Sequence, residues 1–216
     1  MNSANEQTTN DVYINVRKAY RLLHDYQCMV RDAVRYIEAQ LDIPYNAGWA
    51  KLIHPATRDG FAPLTQSGWA WLPMVVYAFH FRKKLENDAW LSLWFLILSD
   101  TGWFQGDAKI DNDKNPSAFA PVDQSFTKFA FIMQQTEWDE LSFMEEKIPM
   151  RNFIKEGGCL PNDLIEKGCV GKCYDMSCLD SPEKTEIVIE EIIDFAKKKE
   201  WLLDRKKAIN NAVPTQ

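Results

Sequence analysis

The chain has 216 residues, enough for one ordinary domain or two small ones, and 46% of them are hydrophobic, so a sizeable core can form. Its formal net charge of −6 disfavours nucleic acid and anionic membrane surfaces as partners, because both attract clustered Lys and Arg side chains. The amino terminus lacks the basic and apolar regions of a signal peptide, and the most apolar run is too short to cross a bilayer. We therefore expect a cytoplasmic protein with reduced or metal-bound cysteines.

A long helix is predicted near the amino terminus. Residues 1–10 are polar and predict a disordered tail. From Asp11 to about Leu41, apolar residues recur every three or four positions, which is typical of a helix that buries one stripe. The stripe comprises Val12, Val16, Ala19, Leu23, Tyr26, Val30, Ala33, Ile37 and Leu41.

The middle of the chain predicts antiparallel strands. Residues 42–70 are rich in Pro and Gly and predict a long loop. Two segments rich in β-branched and aromatic residues, Trp69 to Phe81 and Ala89 to Leu98, flank a charged stretch with an Asn-Asp turn signal, and they predict a hairpin. A third strand is expected from Phe126 to Gln135, and a weaker fourth from Trp138 to Lys147.

A second helix is predicted near the carboxyl terminus. Ser181 can cap its first turn, and Pro182 suits the first helical position. Its buried stripe is Ile189, Ile192, Ile193 and Ala196. Residues 209–216 are expected to fray. The predicted fold class is therefore α+β, a single domain over residues 11–208 in which a long N-terminal helix and a C-terminal helix pack on a three- to four-stranded antiparallel sheet.

A cysteine-rich segment at about residues 157–180 is predicted as a loop or short helical turns. It contains Cys159, Cys169, Cys173 and Cys178. Thiolates are common zinc ligands, and the glycine between the second and third cysteines would help this pair to wrap an ion. However, Cys159 has no near partner and no C-x2-C pair occurs, so unliganded packing thiols are favoured over structural zinc. Zinc is the one cofactor that the sequence suggests.

The three histidines offer little support for a nucleophilic cysteine, which needs an adjacent base. His24 lies within the predicted long helix and His80 lies among aromatic residues, so both are expected to be ordinary surface or core residues. His54, in a polar loop, is the histidine that remains as a candidate.

An acidic constellation supplies an alternative chemistry. Asp100 follows the second predicted strand, and Glu145 and Lys147 end the possible fourth. One Asp with Glu-x-Lys on adjacent strands is an arrangement by which metal-dependent nucleases hold Mg²⁺ and activate water. The motif is short, and the acidic chain has no evident basic surface to which DNA could bind.

The aromatic residues suggest a binding surface. Five tryptophans concentrate in and beside the predicted hairpin, namely Trp69, Trp71, Trp90, Trp94 and Trp103. Core packing accounts for many of them, yet the hairpin has more large apolar residues than one face needs, so some are candidates for a partner-binding patch.

Because the common catalytic motifs are absent from the sequence, we expect a non-enzymatic cytoplasmic module. It would act through protein–protein contacts, including self-association, or through a small ligand. The alternative is a metal-dependent hydrolase, most plausibly a nuclease, that uses Asp100, Glu145 and Lys147.

Overall fold

The computed structural model describes residues 3–51, 76–85, 88–102, 119–136, 165 and 168–201. In this part of the chain, helices α1 (Ser3–Gln40) and α2 (Pro182–Lys198) accompany one antiparallel sheet. Its strands are β1 (Tyr45–Lys51), β2 (Val76–Lys84), β3 (Trp90–Leu98), β4 (Lys128–Thr136) and β5 (Val170–Asp175). The α+β class is confirmed, but the sheet has five strands rather than three to four.

The strands are arranged in the sheet in the same order as in the sequence, from β1 to β5. Every neighbouring pair is antiparallel, and the central register places Phe95 opposite Phe79 on one side and Phe131 on the other. Near the turn between β2 and β3, Asp88 adopts a φ of 64°, a left-handed conformation that Asp tolerates better than most residues.

One face of the sheet packs against both helices and forms the main core. From β3 the core receives alternate residues, as the two-residue period of a strand requires: Leu91, Leu93, Phe95 and Ile97. From α1 it receives Val30, Val34 and Ile37, and from α2 it receives Val188, Ile189, Ile192, Ile193 and Ala196. Each of these Val, Leu, Ile and Phe side chains contributes about 1.5–3 kcal/mol when fully buried. The predicted packing of both helices on the sheet is therefore confirmed.

The opposite face of the sheet is also buried. Its residues with little solvent exposure are Ala78, His80, Trp94, Leu96, Leu98, Ala130 and Ile132. Strand β3 is buried along its length on both faces, which explains why its sequence is an apolar run rather than an alternating pattern.

Helix α2 begins as predicted. The Ser181 hydroxyl accepts a hydrogen bond from the Lys184 backbone N–H at 3.4 Å, and Pro182 occupies the first turn. On the sheet side, the Lys172 ammonium and the Tyr174 hydroxyl of β5 both donate hydrogen bonds to the Glu191 carboxylate. Burial opposes ionisation of Glu191, but these two donors hold its pKa below the usual value. The contacts join α2 to the last strand.

Two strands lie where the sequence analysis predicts none. Strand β1 falls in the segment predicted as a loop, and β5 falls in the cysteine-rich segment. Gly171 of β5 has a steric role, because a Cβ there would lie 2.3 Å from the Phe131 carbonyl oxygen of β4. The short 3₁₀ helix Met176–Leu179 is the helical turn that was expected in this segment.

The other differences concern the ends of the predicted elements. Helix α1 begins at Ser3, so most of the segment predicted as a disordered tail is helical. The predicted fourth strand from Trp138 to Lys147 and the predicted tail at 209–216 lie outside the described residues. No helix in the described ranges is long and apolar enough to span a membrane.

Candidate functional site

The most exposed apolar surface of the described chain lies on the first half of α1. Every residue from 11 to 25 is exposed except Ile14, which is half-buried. We call this segment the arm. Its large apolar residues are between 37% and 70% exposed, and they are Val12, Tyr13, Val16, Tyr20, Leu22 and Leu23. Scattered apolar residues are normal on a surface, but a contiguous set of this size is typical of an interaction site.

The arm ends where α1 meets the rest of the domain. From residue 11 onward, Tyr26 is the first residue that packs against the main core, and its hydroxyl lies 3.3 Å from the Ser99 hydroxyl that follows β3. Burial raises the pKa of this tyrosine above its ordinary value, in part against the hydrogen bond with Ser99, which lowers it. One turn later Val30 is only 3% exposed. The prediction that the stripe is buried is thus correct from Tyr26 onward. The stripe residues before Tyr26 are exposed to solvent.

The charged residues of the arm lie on one face and its exposed apolar residues on the other, while the half-buried Ile14 lies at the outer position f. In a seven-residue repeat with Val16 and Leu23 at position a, the inner positions a, d, e and g hold eight residues. We call this face the seam, and its members are Val12, Tyr13, Asn15, Val16, Ala19, Tyr20, Leu22 and Leu23. All charged residues of the arm occupy the outer positions, and they are Asp11, Arg17, Lys18, Arg21 and Asp25. The seam carries no charge and one polar side chain.

The two described tryptophans that were predicted to bind a partner are less exposed than the apolar residues of the seam. Trp94 is 1% exposed and stacks on the His80 ring at 3.9 Å, so it belongs to the interior. Trp90 is half-buried beneath the Arg82 guanidinium, which lies 4.7 Å from its ring centre. Trp69, Trp71 and Trp103 lie outside the described residues. The described apolar surface is therefore on the arm rather than on these two tryptophans.

The described cysteines of the cysteine-rich segment lie before, within and after β5, and the Cys173 and Cys178 thiols are close enough to interact electrostatically. Cys169 is buried just before β5, and Cys173 lies beside Ala130 on the sheet face opposite the helices. Cys178, in the 3₁₀ helix, packs against the main core on the other side. Burial raises the pKa of Cys173 to about 11 and that of Cys178 to about 12, which keeps both thiols protonated near neutral pH.

The zinc prediction draws no support from these positions. Among the residues that the structure describes, no three His, Cys, Asp or Glu side chains are grouped so that they could hold a metal ion. Cys159, the fourth predicted ligand, lies outside the described residues. Elemental analysis of protein purified without a chelator tests the four-cysteine site directly.

The structure describes one of the three predicted hydrolase residues, Asp100. The Asp100 carboxylate accepts a hydrogen bond from the Gly102 backbone N–H at 2.8 Å, within its own turn after β3. Glu145 and Lys147 lie outside the described residues. The described part of this constellation is therefore a carboxylate that stabilises a turn.

Two histidines take the ordinary roles expected of them, while His54 lies outside the described residues. His24 is exposed on the arm, beside Asp25, and its Nε2 lies 3.8 Å from the Cys28 sulfur. His80 is 1% exposed, and its ring nitrogens lie 3.2 Å from the Asn46 amide nitrogen and 3.4 Å from the Ser92 hydroxyl.

The His80 contacts link three strands, because the buried His80 ring lies between the exposed Asn46 of β1 and the buried Ser92 of β3. With the amide of Asn46 oriented as placed, its N–H donates to Nδ1, so the Nε2–H faces the Ser92 hydroxyl. Sequence reasoning did not select Asn46 or Ser92. The one available signal was a single serine within the apolar run of β3, since a polar group buried in a sheet needs a partner.

Comparison with known proteins gives one match. A family model with the description PM0109 matches residues 6–203, which include the whole arm, the five strands and α2. No curated protein and no solved structure matches the chain. Because the model covers nearly the full length, the chain belongs to the PM0109 family.

Proposed function

We propose that this member of the PM0109 family is a non-enzymatic module that binds protein through the seam of its arm. The observation that carries the proposal is the separation of charge on an exposed helix. Seven of the eight seam residues are apolar, and every charged residue of the arm lies on the outer face. An amphipathic helix that presents one apolar face is a recurrent mode of protein recognition.

The amino-acid composition of the arm supports the same proposal. An isolated helix of this length is marginal in water, and most helical stability in proteins comes from tertiary packing. The arm contains exposed seam residues of modest helix propensity, including Val12, Tyr13 and Val16. Packing of the seam against a partner would supply the stabilisation that the rest of the domain does not give these residues.

The cellular setting that we propose is the cytoplasm. The four cysteines in the described residues are free thiols, as expected in a reducing compartment. The negative net charge leaves a protein surface as a better partner than nucleic acid or an anionic membrane. No specific observation on the described residues favours the alternative hydrolase, since Asp100 is the one described residue of its three.

Affinity capture with matched variants tests the proposal. The tagged chain serves as bait in an extract of its source cells, alongside a seam variant, Val16→Glu with Leu23→Glu. Lys18→Glu is the control, because it lies on the outer face and changes the net charge by the same two units as the seam variant. We expect the wild type and the control to retain the same protein, and the seam variant to lose it.

The proposal fails if the seam variant retains what the wild type retains. It also fails if the wild type retains no protein at all, a second copy of this chain included. Circular dichroism of each variant confirms that a lost interaction does not reflect a lost fold.

A further inference from the structure

We infer that Cys28 is an activated thiol, and that it is the site at which a low-molecular-weight disulfide forms a mixed disulfide with this protein. Cys28 is the one cysteine outside the cysteine-rich segment, and no motif in the sequence marks it. The inference goes beyond the proposed function and does not depend on it. Cys28 and the two residues that act on it, His24 and Asp25, occupy outer positions of the seven-residue repeat, away from the seam.

A base lies beside the Cys28 thiol. The His24 Nε2 atom is 3.8 Å from the Cys28 sulfur, one turn earlier on the same side of α1. A neutral imidazole nitrogen in this position can accept the thiol proton and leave a thiolate, which is the nucleophilic form of cysteine. His24 is thus a surface histidine, as expected, that also supplies the adjacent base a nucleophilic cysteine needs.

A carboxylate orients this base. The other nitrogen of the His24 ring, Nδ1, lies 3.2 Å from an Asp25 carboxylate oxygen. A carboxylate accepts a hydrogen bond from Nδ1–H, so it favours the tautomer in which Nε2 is unprotonated and free to act on the sulfur. It also stabilises the positive charge that the ring gains with the thiol proton. Nucleophile, base and orienting group therefore follow one another as Cys28, His24 and Asp25.

The surroundings of this cluster allow a small reagent to reach the sulfur. Cys28 is half-buried, and the side chains of His24 and Asp25 are 73% and 79% exposed. The thiols that follow in the last strand and the 3₁₀ helix differ, because burial raises the pKa of Cys173 to about 11 and that of Cys178 to about 12. Cys28 combines solvent access with a proton acceptor, and these two thiols do not share its access.

The same side chains are a poorer fit to a metal ion. A thiol and an imidazole four residues apart on a helix are two potential ligands, but a stable site needs more. Asp25 lies against Nδ1, on the side of the ring remote from the sulfur. In the described ranges, no three His, Cys, Asp or Glu side chains are grouped so that they could hold a metal ion. Thiol chemistry is therefore the better account of the cluster.

The reaction is a thiol–disulfide exchange. His24 Nε2 takes the proton from the Cys28 thiol, and the thiolate attacks one sulfur of the small disulfide. A bond forms between the Cys28 sulfur and that sulfur as the S–S bond of the reagent breaks. The second sulfur leaves with the bonding electron pair and takes the proton from His24. The products are a mixed disulfide and one free thiol, and the small disulfide is the oxidant, so no other one is consumed.

Mass spectrometry of the native full-length chain tests the inference, with oxidised glutathione as the probe. The protein is incubated with the probe at pH 7, quenched with acid at intervals and digested, so that each cysteine is followed separately. We expect Cys28 to be modified at least about 100-fold faster than Cys173 and Cys178, because these two thiols are buried and protonated.

Two conservative variants separate activation of the thiol from simple access to it. His24→Gln removes the base and should slow the modification of Cys28 about tenfold, less than in a closed active site because the pair is open to water. Asp25→Asn keeps the imidazole and should slow it about threefold. Lys18→Gln is the control. It changes the charge of the outer face about 15 Å from Cys28, beyond the Debye length, and should change the rate less than about 1.5-fold.

All three substituted side chains are exposed, so circular dichroism should show an unchanged fold. The inference is overturned if Cys28 reacts no faster than the buried thiols. It is also overturned if His24→Gln leaves the rate within about 1.5-fold of wild type, since Cys28 would then be accessible but not activated. An equal loss of rate in Lys18→Gln would overturn it too, because the effect would come from net charge rather than from the base.

Discussion

Two valines of α1 provide a direct test of where the arm ends. Val16 and Val30 occupy the same position of the seven-residue repeat, two repeats apart, on one continuous helix. Val16 is 45% exposed, whereas Val30 is 3% exposed and belongs to the main core. Replacement of each by alanine is the same chemical change in two environments.

The expected effects follow from this difference in burial. At Val30 the loss of two buried carbons removes about 1.6 kcal/mol of transfer free energy, and the residual cavity adds about 1 kcal/mol. The higher helix propensity of alanine returns about 0.5 kcal/mol. Val30→Ala should therefore lower the free energy of unfolding by about 2 kcal/mol. At Val16 the smaller burial loss and the propensity gain nearly cancel, so Val16→Ala should change it by less than about 0.5 kcal/mol.

Urea unfolding followed by circular dichroism at 222 nm measures both values. The protein should be dilute, so that any association through the seam is reversed and the single chain is measured. Equal destabilisation by the two substitutions would refute the reasoning, because it would mean that Val16 is packed within its own chain. An unfolding free energy that falls more for Val16→Ala than for Val30→Ala would refute it as well.

Three further predictions concern α2 and the thiols. Ser181→Ala should lower the free energy of unfolding by about 1 kcal/mol in the same urea assay, because the Lys184 N–H loses its capping acceptor. Glu191→Gln should destabilise the protein at neutral pH. Since the pKa of Glu191 is lowered by folding, its contribution is present above the usual value of 4.5 and is lost as the pH falls through the lowered value, so the urea midpoints of wild type and variant should converge in acid. With pKa values raised to about 11 and 12, Cys173 and Cys178 should react with a disulfide reagent at pH 8 much more slowly in the native protein than in urea, as followed by mass spectrometry; equal rates would contradict their burial.

The elements with a strong local pattern were predictable from the sequence. The repeat of apolar residues in α1, the Ser181–Pro182 start of α2 and the apolar run of β3 each indicate their structure from the residues of that segment alone. Strands β1 and β5 were not predictable in this way. Both are short and contain a glycine, Gly48 and Gly171, where a side chain would collide with neighbouring atoms, and a glycine within a short segment normally indicates a loop.

The candidate site was only half predictable, for a different reason. The spacing of Val16 and Leu23 is the same as that of Val30 and Ile37, so periodicity alone cannot separate a helix face that meets its own sheet from one that meets solvent. That distinction depends on where the sheet ends, which is a property of the tertiary structure. The contact between His80 and Ser92 likewise depends on the register between β2 and β3, which cannot be predicted from the sequence of either strand alone.

The agreement between sheet order and chain order has a consequence for synthesis of the protein. As the chain leaves the ribosome, each strand emerges after the neighbour with which it pairs, so the sheet can grow from one edge without waiting for a later strand to be inserted. The helix face is different, because Ile189, Ile192 and Ile193 are translated after all five strands. Until α2 has emerged, Phe131 and its neighbours lack this cover, so the nascent sheet is more vulnerable to aggregation between the emergence of β5 and that of α2.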